Sequence, residues 1–125
     1  MMGFCYINKG IFFPLSLLNL YKCFFRLLID GEQLIGTGVI RWKYSRDTKC
    51  FGWWLYAIWI NPDFRGRGLG VVLMENLFKE LRLWNVEQVY LTVDNTNTIA
   101  QNLYNKLGFV EIIRKDHIIV MRYEL

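Results

Sequence analysis

Hydrophobic spacing along the chain changes from strand-like to helix-like twice. Cys23 to Ile29 is a short, mostly apolar run, and Asp30-Gly31 behind it is a hairpin-turn pair. Gln33 to Tyr44 continues as a second strand, with Val39, Arg41 and Lys43 on one face and Ile40, Trp42 and Tyr44 on the other. Ser45 to Lys49 is a polar turn. Phe51 to Ile60 is nearly all apolar, the pattern of a central strand buried on both faces. These three strands make an antiparallel meander.

After Pro62 the period lengthens. Leu69, Val72, Leu73, Leu77, Leu81 and Trp84 form a helical stripe, opposed by Glu75, Lys79, Glu80 and Arg82. Glu75 and Lys79 stand at the favourable i,i+4 spacing. Gln88 to Val93 is a further strand. Thr98 to Leu107 is a second helix, with Asn97 or Thr98 as N-cap and Gly108 at C′. Phe109 to Arg114 and Ile118 to Tyr123 close the chain as a pair of strands. The order βββαβαββ predicts an α/β (α+β) domain with a mixed, mostly antiparallel twisted sheet. Its one parallel, right-handed crossover runs from strand 51–60 to strand 88–93.

At 125 residues the chain is one domain spanning 1–125, and its 54% apolar content argues against disorder. The net charge of +4 attracts anions, but no run of five or six Lys/Arg occurs, so a nucleic-acid partner is not expected. Cys5, Cys23 and Cys50 are far apart and form no CxxC pair; with His117 as the lone histidine, no zinc site is expected. The thiols read as reduced and mostly buried in a cytoplasmic protein. Lys9 and the apolar run Gly10 to Tyr21 lack the small-residue cleavage pattern of a signal peptide. The run is also interrupted by Pro14 and Asn19 and falls short of the roughly 20 residues that span a membrane, so no membrane partner is expected. Pro14 to Lys22 reads as a short helix, and residues 1–13 are left open between a strand and another helical turn.

The segment Arg65-Gly66-Arg67-Gly68-Leu69-Gly70 lies between a buried strand and a helix. Glycine lets the backbone approach a ligand and turn its N–H groups toward it, the helix start adds its positive end, and two arginines add full charges. The combination suits a pyrophosphate. Charge-assisted hydrogen bonds of about 1.5–3 kcal/mol each would support micromolar affinity. A dinucleotide fingerprint fits poorly: reading from Gly66, its third glycine position holds Val71, and Asn61 to Arg65 separate strand from glycines. Asp94 stands near the place of that fingerprint's acidic residue, but the flanking antiparallel strands do not suit the fold.

Ile58 to Gly70 resembles the acetyl-CoA motif of the GNAT superfamily, R/Q-x-x-G-x-G/A after a strand. Asn97-Thr98-Ile99-Ala100-Gln101-Asn102-Leu103-Tyr104-Asn105-Lys106-Leu107-Gly108-Phe109 resembles that superfamily's later N-x-x-A-x-x-L-Y-x-K-x-G-F stretch. The likeness runs from about residue 24 to the C-terminus, with the cofactor-binding core at 51–109. It implies an acetyl-CoA-dependent N-acetyltransferase acting on a primary amine of a small molecule or peptide, by direct attack in a ternary complex and without a metal. It also implies a V-shaped slot where the strand before the loop splays from the strand after the first helix, with the pantetheine arm lying there against backbone groups of Ile58 and Ile60. The resemblance assigns cofactor contacts to Ile58, Trp59, Ile60, Arg65, Gly66, Arg67, Gly68, Leu69, Gly70, Asn97 and Tyr104.

Tyr104 occupies the family's tyrosine position and becomes the expected proton donor to the departing thiolate, since a phenol of pKa near 10 suits that task. The general base has no such candidate. Thr92 stands where some relatives carry a glutamate, and Trp54 and Tyr56 occupy strand 51–60 where an acid could have been. Asp94, Glu32 and a water chain remain open, and His117 reads as a solvated turn residue. Family members usually place a strand and two helices before the strand that here begins near Cys23, whereas this chain has only residues 1–22 there. The acceptor site is then open, or completed by a second subunit in a homodimer, or the gene lacks its true start. The missing base and shortened N-terminal region keep one alternative in view, a catalytically idle acyl-CoA-binding regulatory module. The aromatics Trp42, Trp53, Trp54, Tyr56 and Trp59 read as mostly core, with some as pocket walls.

Overall fold

The computed structural model describes residues 5–10 and 22–125, with side chains described from Cys23 onward. Among the described residues, seven strands form one sheet: β1 (Cys5–Gly10), β2 (Lys22–Asp30), β3 (Gln33–Ser45), β4 (Cys50–Ile60), β5 (Gln88–Asp94), β6 (Val110–Lys115) and β7 (Ile118–Glu124). Their spatial order is β1-β2-β3-β4-β5-β7-β6, and every pairing except β4–β5 is antiparallel. Two helices, α1 (Leu69–Leu83) and α2 (Thr98–Leu107), flank β5 in sequence. The expected order holds from Cys23 onward, and β1 is added in front of it. The helix expected over Pro14 to Lys22 lies outside the described residues, except that Lys22 opens β2.

Alternation along the strands places one row of side chains under α1. Leu73, Met74, Leu77, Phe78 and Leu81 of α1 bury themselves against Ile40, Leu55, Val89, Leu91, Ile119 and Met121. The buried stripe is rotated from the one read in the sequence: Val72 is 39% exposed, while Met74 and Phe78 are buried. Phe78 turns the helix that way, because its ring stacks on Tyr123 of β7 at 4.3 Å and lies 5.9 Å from Phe109. Glu80 on the same helix pairs with Arg26 of β2, and both side chains are largely withdrawn from water (17% and 12% exposed).

Two expectations are corrected. Strand β4 is central in the sheet, but it is not buried on both faces: Phe51, Ala57 and Trp59 are exposed. The reason is that β4 and β5 pair only at Trp53↔Val89 and Trp54↔Tyr90, so the rest of β4 has no strand beside it on that edge. The two described thiols are not buried either, and the side chain of Cys5 lies outside the described residues. Cys50 is exposed at the first position of β4, Cys23 is half-buried, and both are free.

The tryptophans divide by position. Trp42, Trp53, Trp84 and Phe51 form a ladder at the end of the sheet away from the glycine loop, with successive ring centroids 5.3–6.1 Å apart, around a hollow of about 310 Å³. Trp54 is buried on the opposite sheet face, stacked on Tyr90 at 5.1 Å. Trp59 and Tyr56 line the clefts described next.

Candidate active site

The site begins with an irregularity in β4. Thr37 pairs with Trp59 and Val39 with Tyr56, so the single Gly38 of β3 faces both Ala57 and Ile58. This is a bulge, and Ala57 adopts a left-handed backbone (φ 50°) to make it. Beyond it, Asn61 N–H donates to Ile35 O at 2.6 Å. That bond makes Gly36–Ile60 a non-hydrogen-bonded pair, so the N–H and C=O of Ile60 point away from β3. By alternation Ile58 points the same way, into the gap where β5 has left.

A short 3₁₀ turn, Pro62–Phe64, then carries the chain to α1. Asn61 builds it: its side-chain oxygen accepts from Asp63 N–H at 3.1 Å and its amide donates to Leu34 O at 3.1 Å. Phe64 anchors the turn among Leu28, Ile35 and Leu69. Gly66 and Gly68 follow with φ of 77° and 73°, a region that favours glycine, and a Cβ at either would meet no protein atom within 4 Å. The space above both is therefore open to a ligand. Gly68 is the N-cap of α1 and has no side chain to satisfy the first-turn N–H groups, which remain donors for an anion. Gly70 serves differently: a Cβ there would stand 3.2 Å from Leu103 Cδ2, so this glycine lets α1 approach α2.

A cleft of about 500 Å³ is lined by Ile58, Trp59, Ile60, Arg65, Gly66, Gly68, Leu69, Gly70, Asn97 and Tyr104, together with parts of the turn and α2. Of the eleven residues assigned as cofactor contacts, Arg67 is missing from this lining. Its guanidinium lies 5.3 Å from the centre of the Phe64 ring, a cation–π position on the outside of the turn. Arg65 is held instead by its Nε, which donates to Ile60 O at 2.9 Å and leaves the two terminal nitrogens of its guanidinium free for other acceptors.

Across the wall formed by Ile58, Asn97, Ala100 and Tyr104 lies a second cleft of about 300 Å³, lined also by Leu55, Tyr56, Ala57, Leu91, Thr92, Val93 and Asp94. The splay of β4 from β5 opens it. Asn97 caps α2 through its side-chain oxygen, which accepts from Ala100 N–H at 3.2 Å, and it also lines both clefts. Tyr104 is 7% exposed, and burial pushes its phenol above the ordinary value of 10. The phenol therefore stays protonated through the neutral range and remains a proton donor.

The base candidates separate. Glu32 and His117 are exposed and line neither cleft, and the His117 carbonyl accepts from Asn95 N–H at 2.8 Å. Asp94 reaches the second cleft, but hydrogen bonds from Thr96 Oγ1 (2.7 Å) and Thr96 N–H (2.9 Å) hold its carboxyl below the usual range, which weakens it as a base. Thr92 and Tyr56 line that cleft without an acid, and buried Trp54 does not reach it. Among the described residues, no group of three His, Cys, Asp or Glu is placed to hold a metal, and no helix is long and apolar enough to cross a membrane. The bulge at Ala57 carries no signal in the sequence beyond a small residue in a run of large ones.

Comparison with known proteins places this arrangement. The chain is 32% identical over 113 residues to an N-alpha-acetyltransferase of Sulfurisphaera tokodaii, covering 84% of this chain and 67% of that protein. It is 42% identical over 64 residues to a ribosomal protein bS18-alanine N-acetyltransferase of Salmonella typhimurium, covering 50% of this chain and 43% of that one. The chain spans about half the length of this enzyme and its Haemophilus influenzae counterpart (43% and 58%). Among solved structures, the fold is similar to PaiA N-acetyltransferase from Thermoplasma acidophilum in complex with coenzyme A (TM-score 0.70, 20% identity, 88% of this chain and 65% of that one). It is similar along nearly its whole length to IAA acetyltransferase from Bacillus cereus (TM-score 0.67, 17% identity, 97% and 100%). Residues 8–109, which hold the bulged strand, the glycine turn and Tyr104, match the Acetyltransferase (GNAT) family, and the chain belongs to it.

Proposed function

We propose that the protein transfers the acetyl group of acetyl-CoA to a primary amine by direct attack within a ternary complex. The observation that carries this reading is Tyr104, a buried phenol in the wall shared by the two clefts. One cleft suits the cofactor: an open turn at Gly66 and Gly68, unpaired first-turn N–H groups of α1, and Arg65 receive the pyrophosphate, while the outward backbone groups of Ile58 and Ile60 suit the amides of the pantetheine arm. The other cleft admits the amine.

Attack by the neutral amine forms the C–N bond at the thioester carbonyl, the C–S bond breaks, and the Tyr104 O–H supplies the proton taken up by sulfur. The amine's own proton leaves to water through the open acceptor cleft, since no lining residue there is tuned as a base, and the Tyr104 phenolate regains a proton from water to complete the cycle. Holding both substrates against one wall supplies much of the rate. The relatives act on alanine or other N-terminal amines by their names, which supports an α-amine as acceptor. The same names speak against an idle acyl-CoA-binding module.

The test is thiol release from acetyl-CoA against peptide N-termini, free amino acids, aminoglycosides and simple amines. Release that requires one acceptor class supports the reading. Acetyl-CoA binding without release in any mixture would leave the idle module standing. A Gly68→Val variant serves as control, with binding reduced at least about 10-fold because its side chain must occupy the open turn in a left-handed backbone.

A further inference from the structure

The two clefts that meet at Tyr104 carry opposite charge. Among the described residues, Arg65 is the ionised side chain lining the cofactor cleft, and Asp94 is the ionised side chain lining the acceptor cleft. We infer that Asp94 selects acceptors bearing a second cationic group besides the amine that is acetylated. This rests on the reading of the second cleft as the acceptor site.

Asp94 ends β5, beyond the last point at which β5 pairs with β4, so the splay that opens the cleft also brings this residue into its lining. Its hydrogen bonds from Thr96 both go to Oδ1, and Oδ2 receives none from a described residue. The rest of the lining is neutral: Tyr56, Thr92, Asn97 and Tyr104 are polar without charge, and Leu55, Ile58, Leu91 and Val93 are apolar. The carboxylate also stays ionised at any pH near neutrality, because the Thr96 hydrogen bonds favour the charged form.

Chemistry decides which group of the acceptor it meets. A carboxylate beside the reacting ammonium would hold its proton and oppose formation of the nucleophile. A carboxylate beside a second, non-reacting cation carries no such penalty and orients the acceptor. The substrate class is therefore a diamine, or a peptide with a basic side chain near its N-terminus, rather than a monoamine or an acidic peptide.

The experiment titrates the coenzyme A-saturated protein calorimetrically with two matched pairs. One is Ala-Lys-Ala amide and Ala-Glu-Ala amide; the other is 1,4-diaminobutane and 4-aminobutanoate. In each pair the reacting amine is kept and the charge of the second group is reversed. At low salt the cationic member of at least one pair should bind roughly 10-fold more tightly, and the preference should narrow at about 0.5 M salt. Asp94→Asn should erase the preference to within about 2-fold; its amide oxygen can still accept from Thr96, and circular dichroism checks the fold. No preference in either pair, no binding of any of the four, or a preference that survives Asp94→Asn overturns the inference. Thiol release is scored separately on the same compounds. A binding preference without release would overturn acetyl transfer and leave the role of Asp94 intact.

Discussion

The Thr37 hydroxyl donates to the Ala57 carbonyl at 2.8 Å, across the bulged step of the β3–β4 ladder. Ala57 sits at φ 50°, where an alanine is strained, and this bond helps hold it there. Thr37→Val removes the hydroxyl and keeps the β-branched shape. We expect a loss of about 1 kcal/mol in urea unfolding, together with a several-fold weaker acetyl-CoA affinity. An unchanged cofactor affinity would show that the bulge holds its shape without Thr37.

Tyr104→Phe keeps the ring contact with Phe109, now 5.6 Å between centroids, and deletes only the hydroxyl. Turnover should fall about 10²- to 10⁴-fold while acetyl-CoA binding stays within 2-fold or so. Unchanged turnover would remove Tyr104 as the acid.

The pH dependence follows from the raised pKa of the same phenol. In the unfolded chain a tyrosine ionises near 10, while folded Tyr104 holds its proton to higher pH. Its contribution to stability is therefore fully present below about pH 10 and is lost as pH rises from there toward the folded value. Native protein should melt progressively lower above that pH, with a smaller decline in Tyr104→Phe. At the acidic end no lining residue is a tuned base, so the fall of kcat/KM should track the acceptor's own pKa. It should lie near 8 for a peptide α-amine and near 10 for a lysine-like amine.

Arg65 and Arg67 flank one glycine yet should differ in effect. Arg65 lines the cleft and is tied to Ile60 O, whereas Arg67 lies over Phe64. Arg65→Ala should weaken acetyl-CoA binding by about 10-fold or more, the size of one lost charge-assisted contact. Arg67→Ala should cost only a few-fold, through long-range charge, and that remainder should vanish at high salt. Equal losses by calorimetry would contradict the placement.

The Arg26–Glu80 pair ties β2 to α1 with little exposure to water. Glu80→Leu alone should destabilise by about 3 kcal/mol, because it strands a mostly buried guanidinium whose Nε already lacks a partner. Adding Arg26→Met should recover much of that loss in chemical denaturation. A double variant less stable than Glu80→Leu would mean that the pair contributes more than its own desolvation.

Local rules carried the elements from Cys23 onward. Period-2 and period-3.6 spacing, the Asn97 cap and the Gly108 terminus each depend on near neighbours in the chain, and the structure shows all of them. The hairpin after β2 also forms, but one residue on from the expected pair: Asp30 pairs with Gln33, and Gly31 and Glu32 make the turn. The glycine turn was legible for the same reason, since three glycines and two arginines in six residues have little other use. What the sequence alone did not settle depends on contacts between distant segments. Val72 looked buried until Phe78 met Tyr123 and rotated α1. Arg67 looked equivalent to Arg65 until Phe64 took its guanidinium. The parting of β4 from β5 after two residue pairs, and the bulge at Ala57 beside it, have no local cause at all. They arise where β3, α1 and β5 compete for one strand, and that competition decides where two clefts of opposite charge meet at Tyr104.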